Sequence, residues 1–184
     1  MYARTLGDDG AELRPLESWH AEEFLAHLDR GRAFIGQHVS FGTGIHDAEA
    51  ARAMLRSYAD KRAADSGSMH GLWLDGTLVG GLLFRLFDAG TGNCELGCWL
   101  EPDAAGRGLV TRGARVLVDW AFHDRGMHRV EWVASSANKP SLRVAERLGM
   151  RREGVLRESY PYRDVRHDME MWSVLAPEWG TRQA

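Results

Sequence analysis

A chain of 184 residues is long enough for one domain that buries about two thirds of its unfolded surface. Its 44% hydrophobic and 27% charged residues are ordinary for a globular protein, and a net charge of −3 gives no support for a nucleic-acid surface. Apolar runs such as Gly80–Phe84 are far too short to span a bilayer, and Met1–Gly10 has no apolar centre of the signal-peptide kind. The expected compartment is the cytoplasm, with no membrane and no nucleic acid as partner.

In chain order, Ala11–Pro15 reads as a short strand ended by Pro15. Ser18 is the expected N-cap of a helix from about Trp19 to Leu28, with Glu22 and Glu23 in its first turns. Gly31–Gly44 shows no periodicity. Asp47 caps a second helix, Ala48 to about Ala64, with Ala51, Met54, Leu55 and Tyr58 on one face. Met69–Leu74, Asp75-Gly76 and Thr77–Phe87 form a hairpin signal, and Asn93–Leu100 is a further strand. A helix then carries the apolar stripe Val110, Ala114, Leu117, Val118, Ala121. Arg129–Ala134 is a strand, Pro140–Leu148 a short helix stopped by Gly149, and Arg151–Glu158 and Arg166–Leu175 are the last two strands. The result is a mixed α/β sheet covered by helices. Cys94 and Cys98 lie four apart in one strand, about 13 Å between Cα atoms, so no disulfide joins them. No cysteine–histidine spacing suits a metal, and the tryptophans read as packing.

Three segments point to chemistry. Between Leu100 and the striped helix, Gly106-Arg107-Gly108 links a strand to a helix start, where unpaired N–H groups and the dipole attract anions. Glycines there let a phosphate reach those donors, although a plain tight turn has the same sequence. Asn138-Lys139-Pro140-Ser141 sets an amide and a hydroxyl at a second helix mouth; the bland reading is a simple cap. Glu95 stands inside a strand, and three readings stay open: a solvated face, an ion pair with a nearby arginine, or a general base acting through water.

The run from Glu95 to Trp179 resembles the C-terminal half of the GNAT acetyltransferase superfamily, and most of all its RimJ/RimL-like branch of ribosomal-protein N-terminal acetyltransferases. The residues that carry the resemblance are Leu96-Gly97-Cys98-Trp99-Leu100, Gly106-Arg107-Gly108, Trp120-Ala121-Phe122, Asn138 with Ser141, Leu148-Gly149-Met150, Glu153-Gly154 and Asp168. One departure is Asp103, where the family often has Gln or Arg; positive charge for a phosphate would come from Arg107 or Arg112. The resemblance implies a mixed sheet of about seven strands with the fourth and fifth splayed, helices on both faces, and one domain over residues 1–184. It implies that acetyl-CoA is the acyl donor, with no metal. Its pantetheine arm would pair with the backbone of Cys98, Trp99 and Leu100, and its diphosphate would rest on Ala105, Gly106, Arg107, Gly108, Leu109, Val110 and Thr111. Asn138 would hold the pantetheine, and Ser141 would protonate the departing thiolate.

An amine attacks a thioester only when neutral. At pH 7 deprotonation costs about 1 kcal/mol for an α-amine and about 4.6 for lysine, which favours a protein N-terminus as acceptor. The expected base is Glu95, then Glu158, with Tyr160 as a proton-handling residue and the amide of Trp99 or Leu100 holding the oxyanion. Phe34, Phe41, Tyr160 and Tyr162 are the expected acceptor contacts, on the variable loops 34–45 and 159–162. Alternatives are an acetyltransferase for small amines, a silent CoA-binding module, or an interaction domain using Phe34–Phe41. A homodimer is expected by family analogy and from aromatic residues near the C-terminus.

Overall fold

Near-continuous apolar runs suit strands covered on both faces, and two of them meet at Asp75-Gly76. In the computed structural model, which describes residues 3–180, these two residues take φ of 48° and 79°, the left-handed pair of a type I′ turn. The turn joins β3 (Ser68–Leu74) to β4 (Thr77–Asp88). The other strands are β1 (Arg4–Thr5), β2 (Ala11–Pro15), β5 (Asn93–Leu100), β6 (Arg129–Ser135), β7 (Arg151–Tyr162) and β8 (Val165–Leu175). They form one sheet in the order β1-β2-β3-β4-β5-β6-β8-β7, antiparallel except where β5 meets β6. The sheet has eight strands instead of seven because two residues of β1 pair with β2, too short a segment to leave a pattern.

One face packs against α1 (Ala21–Ile35) and α2 (Ala48–Ala63), through Phe24, Leu28, Leu55, Met69, Trp73 and Trp99. The other packs against α3 (Leu109–Asp119), α4 (Lys139–Arg147) and α5 (Ala176–Trp179), through Leu72, Leu82, Leu96, Leu117, Trp132 and Leu142. The expected stripe of α3 is buried in full, and Ala121 extends it into the π-turn Trp120–Asp124.

Three boundaries differ from the sequence reading. Ser18 is not a helix cap: it opens a 3₁₀ turn, and the N–H of Glu17 donates to His20 Nδ1 at 3.1 Å. Next, α1 runs through Gly31 to Ile35. A Cβ at Gly31 would lie 2.9 Å from Ile35 Cδ1 and 3.2 Å from Glu101 Cγ, so this glycine serves a close approach and does not break the helix. Finally, residues 159–162 are not a loop, because β7 crosses an irregularity after Leu156 and pairs again at Tyr160↔His167. Glu158 sits in that irregularity at φ 51°, its N–H donating to Asp168 Oδ1 at 2.8 Å. The C-terminal aromatics are also buried, Trp172 at 9% exposure and Trp179 at 5%, which removes the aromatic surface on which a dimer was expected.

At α2 the expected cap is present, with Ala50 N–H donating to Asp47 Oδ1 at 2.7 Å. Asp47→Ala should therefore cost about 1 kcal/mol of stability, and Ser18→Ala less than about 0.5, in urea unfolding curves.

Candidate active site

The sheet opens at one place. β5 and β6 share only the register pairs Asn93↔Arg129, Cys94↔Val130 and Glu95↔Glu131. Beyond them β5 stays paired with β4 as far as Leu100↔Gly80, and β6 with β8 as far as Ser135↔Met169, so the two strands part and leave a gap. Glu101 N–H donates to Val79 O of β4 at 2.9 Å. Backbone groups alternate along a strand, so those of Trp99 also turn to β4, while those of Leu96, Cys98 and Leu100 turn to the gap. Of the two amides expected to hold an oxyanion, only that of Leu100 faces it.

After β5 the chain turns at Pro102–Ala104 and enters α3 through Gly106 (φ 80°) and Gly108 (φ 72°). A Cβ added at either glycine would meet nothing within 4 Å. The side chains of Leu109, Val110 and Thr111 are buried, which leaves the first-turn N–H groups of α3 beside that open space. Here the residues suit a diphosphate. Arg112 does not supply the positive charge, because Asp9 holds it: Nη1 to Oδ1 at 2.9 Å and Nη2 to Oδ2 at 2.7 Å. The same pair keeps the Asp9 carboxyl down at about 2. Arg107 remains exposed at the cradle.

At the mouth of α4, Ser141 N–H donates to Asn138 Oδ1 at 3.2 Å, which spends the carbonyl of Asn138 on the cap and leaves its amide N–H₂ to donate elsewhere. Ser141 Oγ accepts the indole N–H of Trp132 at 2.9 Å, which leaves its hydroxyl proton to donate. Burial pushes the thiols of Cys94 and Cys98 up to about 12, so both stay protonated at neutral pH.

Glu95 is buried at 8% exposure, and both of its oxygens are held by Arg85, with Nε to Oε1 at 2.7 Å. The ion pair is thus one of the three readings its sequence left open. Across the last shared register stands Glu131, held by Arg129 at 2.7 Å. Glu158 is exposed on β7. Tyr160 and Tyr162 reach across to the segment joining α1 and α2: Tyr160 OH donates to Ser40 Oγ at 2.9 Å and Tyr162 OH to Gly36 O at 2.7 Å. Phe41 lies on Trp99, ring centroids 4.5 Å apart. Phe34 joins neither group: it is 38% exposed on α1, without a ring contact among the described residues.

Sequence reasoning missed a buried polar chain under Trp99. Its Nε1–H donates to His27 Nε2 at 2.9 Å, and His27 Nδ1 lies 2.5 Å from Glu101 Oε1. An indole only donates, so Nε2 is the acceptor and the proton is on Nδ1, donated to Glu101. Arg30 closes the chain, with Nη2 2.8 Å from both Glu101 Oε1 and Leu78 O. Burial holds His27 below the ordinary histidine range, against the pull of Glu101. The available signal was a histidine three residues after Phe24, on the apolar stripe of α1.

A parted sheet whose gap leads into a glycine cradle has room and backbone donors that suit a long, anionic, amide-bearing ligand. Residues 11–151 match the acetyltransferase (GNAT) domain, and the chain belongs to this family. YdaF of Bacillus subtilis (strain 168), named a putative ribosomal N-acetyltransferase, is 27% identical over 172 residues, which cover 91% of this chain and 92% of YdaF. A crystal structure described as a probable acetyltransferase matches with a TM-score of 0.90 at 26% identity, over 97% of this chain and 99% of that one. RimL, described as a ribosomal L7/L12 α-N-protein acetyltransferase in complex with coenzyme A, shares the fold with a TM-score of 0.89 at 17% identity, over 94% and 97%. The protein is an acyltransferase of the GNAT type. Among the described residues no helix is long and apolar enough to cross a membrane, and no group of His, Cys, Asp and Glu could hold a metal ion.

Gly108→Val should abolish acetyl-CoA binding, because its side chain would enter the open space and strain a left-handed residue. Saturating acetyl-CoA at about 100 times Kd should stabilise the native protein by about 2.7 kcal/mol, and the variant should show no rise in Tm.

Proposed function

We propose that residues 1–184 form one domain that transfers the acetyl group of acetyl-CoA to the α-amine of a protein N-terminus. The observation that carries this reading is the run of gap-facing backbone at Cys98 and Leu100, which leads into the open Gly106–Gly108 cradle. The family membership, and the protein N-terminal or ribosomal acceptors in the names of RimL and YdaF, support the donor and the acceptor class. The reading places the protein in the cytoplasm. Leu156 and Val165, 50% and 55% exposed on the β7–β8 hairpin, are the apolar surface it leaves for a homodimer.

In this reading the amides of Cys98 and Leu100 pair with the pantetheine arm and stabilise negative charge on the thioester oxygen. Asn138 donates its free amide N–H₂ to the same arm, and Arg107 and the first turn of α3 hold the diphosphate. The amine forms a C–N bond as the C–S bond breaks. Ser141 gives its hydroxyl proton to the thiolate and recovers one from solvent. Glu95 orders the water that takes the amine proton. Its bidentate pairing with Arg85 uses one lone pair on each oxygen and leaves one on each for that water. Glu158 is the second carboxylate for that task. Phe41, Tyr160 and Tyr162 form the wall beside the acceptor.

The reading is tested with acetyl-CoA and a panel of short peptides, lysine, aminoglycosides and polyamines. Turnover of peptides through their α-amine, and not of the small amines, is the expected result; the reverse would replace the acceptor class. With the acceptor in hand, Glu95→Gln should lower turnover at least about tenfold at pH 7, with the deficit shrinking as pH rises and the amine becomes neutral on its own. Ser141→Ala should lower turnover without that recovery. Equal activity per folded molecule in both variants would remove the two assignments.

A further inference from the structure

His27 joins two positions of β5 that bracket a gap-facing residue. Its imidazole accepts from the side chain of Trp99 and donates to that of Glu101, while Leu100 lies between them. Residues 99 and 101 of an extended strand share a face, and their side chains here are both on the α1 side. Leu100 therefore has both neighbours tied to one ring that is itself fully buried in α1. Arg30 fixes the far end of the tie on Glu101 and on the carbonyl of Leu78 in β4. Phe41 and Phe24 close over the Trp99 ring, with centroids at 4.5 and 6.2 Å, so the indole has one seat.

We infer that His27 is a positioning residue for acetyl transfer: by bridging Trp99 and Glu101 it holds the end of β5 so that its gap-facing amides meet the thioester carbonyl. This inference rests on the acetyl-transfer reading above. A gap-facing strand end has no ladder partner on that edge, so β4 alone holds its backbone from the other edge, and the tie to α1 fixes its tilt from the face of the sheet. Hydrogen-bond donors aimed at developing charge are worth most when they cannot reorient during the reaction. A purely structural histidine at the same place would support the fold and leave the carbonyl environment unaffected.

The test reads the carbonyl directly, through the infrared stretch of acetyl-CoA labelled with carbon-13 at the thioester carbonyl and bound to the full-length protein. Wild type should shift the band to lower frequency relative to free acetyl-CoA. In His27→Ala the band should return towards its free position while acetyl-CoA still binds within about twofold, and kcat should fall about tenfold, a fraction of the 10²–10³ lost when such a donor is removed outright. His27→Gln should recover most of the shift, since its carbonyl can accept from Trp99 and its N–H₂ can donate to Glu101. Should His27→Ala fail to fold, Trp99→Phe keeps a ring on Phe41 and removes only the indole donor, with the same expected loss of shift. A wild-type band shift and kcat in folded His27→Ala or Trp99→Phe would overturn the inference, as would a His27→Gln variant no better than His27→Ala. Failure of the wild type to bind acetyl-CoA at all is a distinct result, which would sink the acetyl-transfer reading and this inference with it.

Discussion

The parting of β5 from β6 after the Glu95↔Glu131 pair governs where everything else in the site can be. Each strand keeps its outer neighbour for its whole length, β5 with β4 and β6 with β8, so neither loses its anchor when they separate. The last shared register sets two carboxylates opposite each other, an arrangement that disfavours closer pairing. Each is held by its own arginine: Glu95 by Arg85 on β4, and Glu131 by Arg129 on its own strand, which also holds Glu153. Backbone groups left without a ladder partner need some other one, and a ligand with amides of its own can supply it.

The two faces of the sheet then divide the work. On the α3 and α4 side, two helix N-termini approach the open end: the Gly106–Gly108 turn offers bare N–H groups, and the Asn138 cap offers side-chain donors. On the α1 and α2 side the sheet carries aromatics and a hydrogen-bonded polar chain from Trp99 to Arg30. Burying such a chain is costly unless each member is satisfied, and here the two ring nitrogens of His27, the indole N–H and both oxygens of Glu101 have partners. Tyr160 and Tyr162 bridge from the β7–β8 hairpin to residues 36–40 and tie the two halves of the parted sheet together.

Much of this was legible from local chemistry. Asp75-Gly76 announced its turn, Asp47 its cap, and the Gly106-Arg107-Gly108 run its approach to a helix start, because each depends on a few neighbouring residues. What escaped depends on partners far along the chain. Arg112 looked free for a phosphate until Asp9, more than a hundred residues earlier, took it. The helix was expected to end near Leu28, ahead of an aperiodic Gly31–Gly44, and only the approach of Glu101 explains why a glycine stands inside the longer α1. Residues 159–162 looked like a loop because a bulge at Glu158, pinned by Asp168, interrupts the alternation that would have revealed the strand. Glu95 stood out in the sequence as a carboxylate inside a strand, yet its pairing with Arg85 depends on the bulge that sets Arg85 between Phe84 and Leu86 of β4.

The proposed pairing is between an extended ligand and the free edge of β5. Amide hydrogen exchange, resolved by residue, tests it most directly, with and without coenzyme A. The amides of Cys98 and Leu100 should exchange more slowly once coenzyme A is bound, while that of Trp99, already committed to β4, should change little. Protection that is absent at Cys98 and Leu100, or that rises at Trp99 instead, would contradict it.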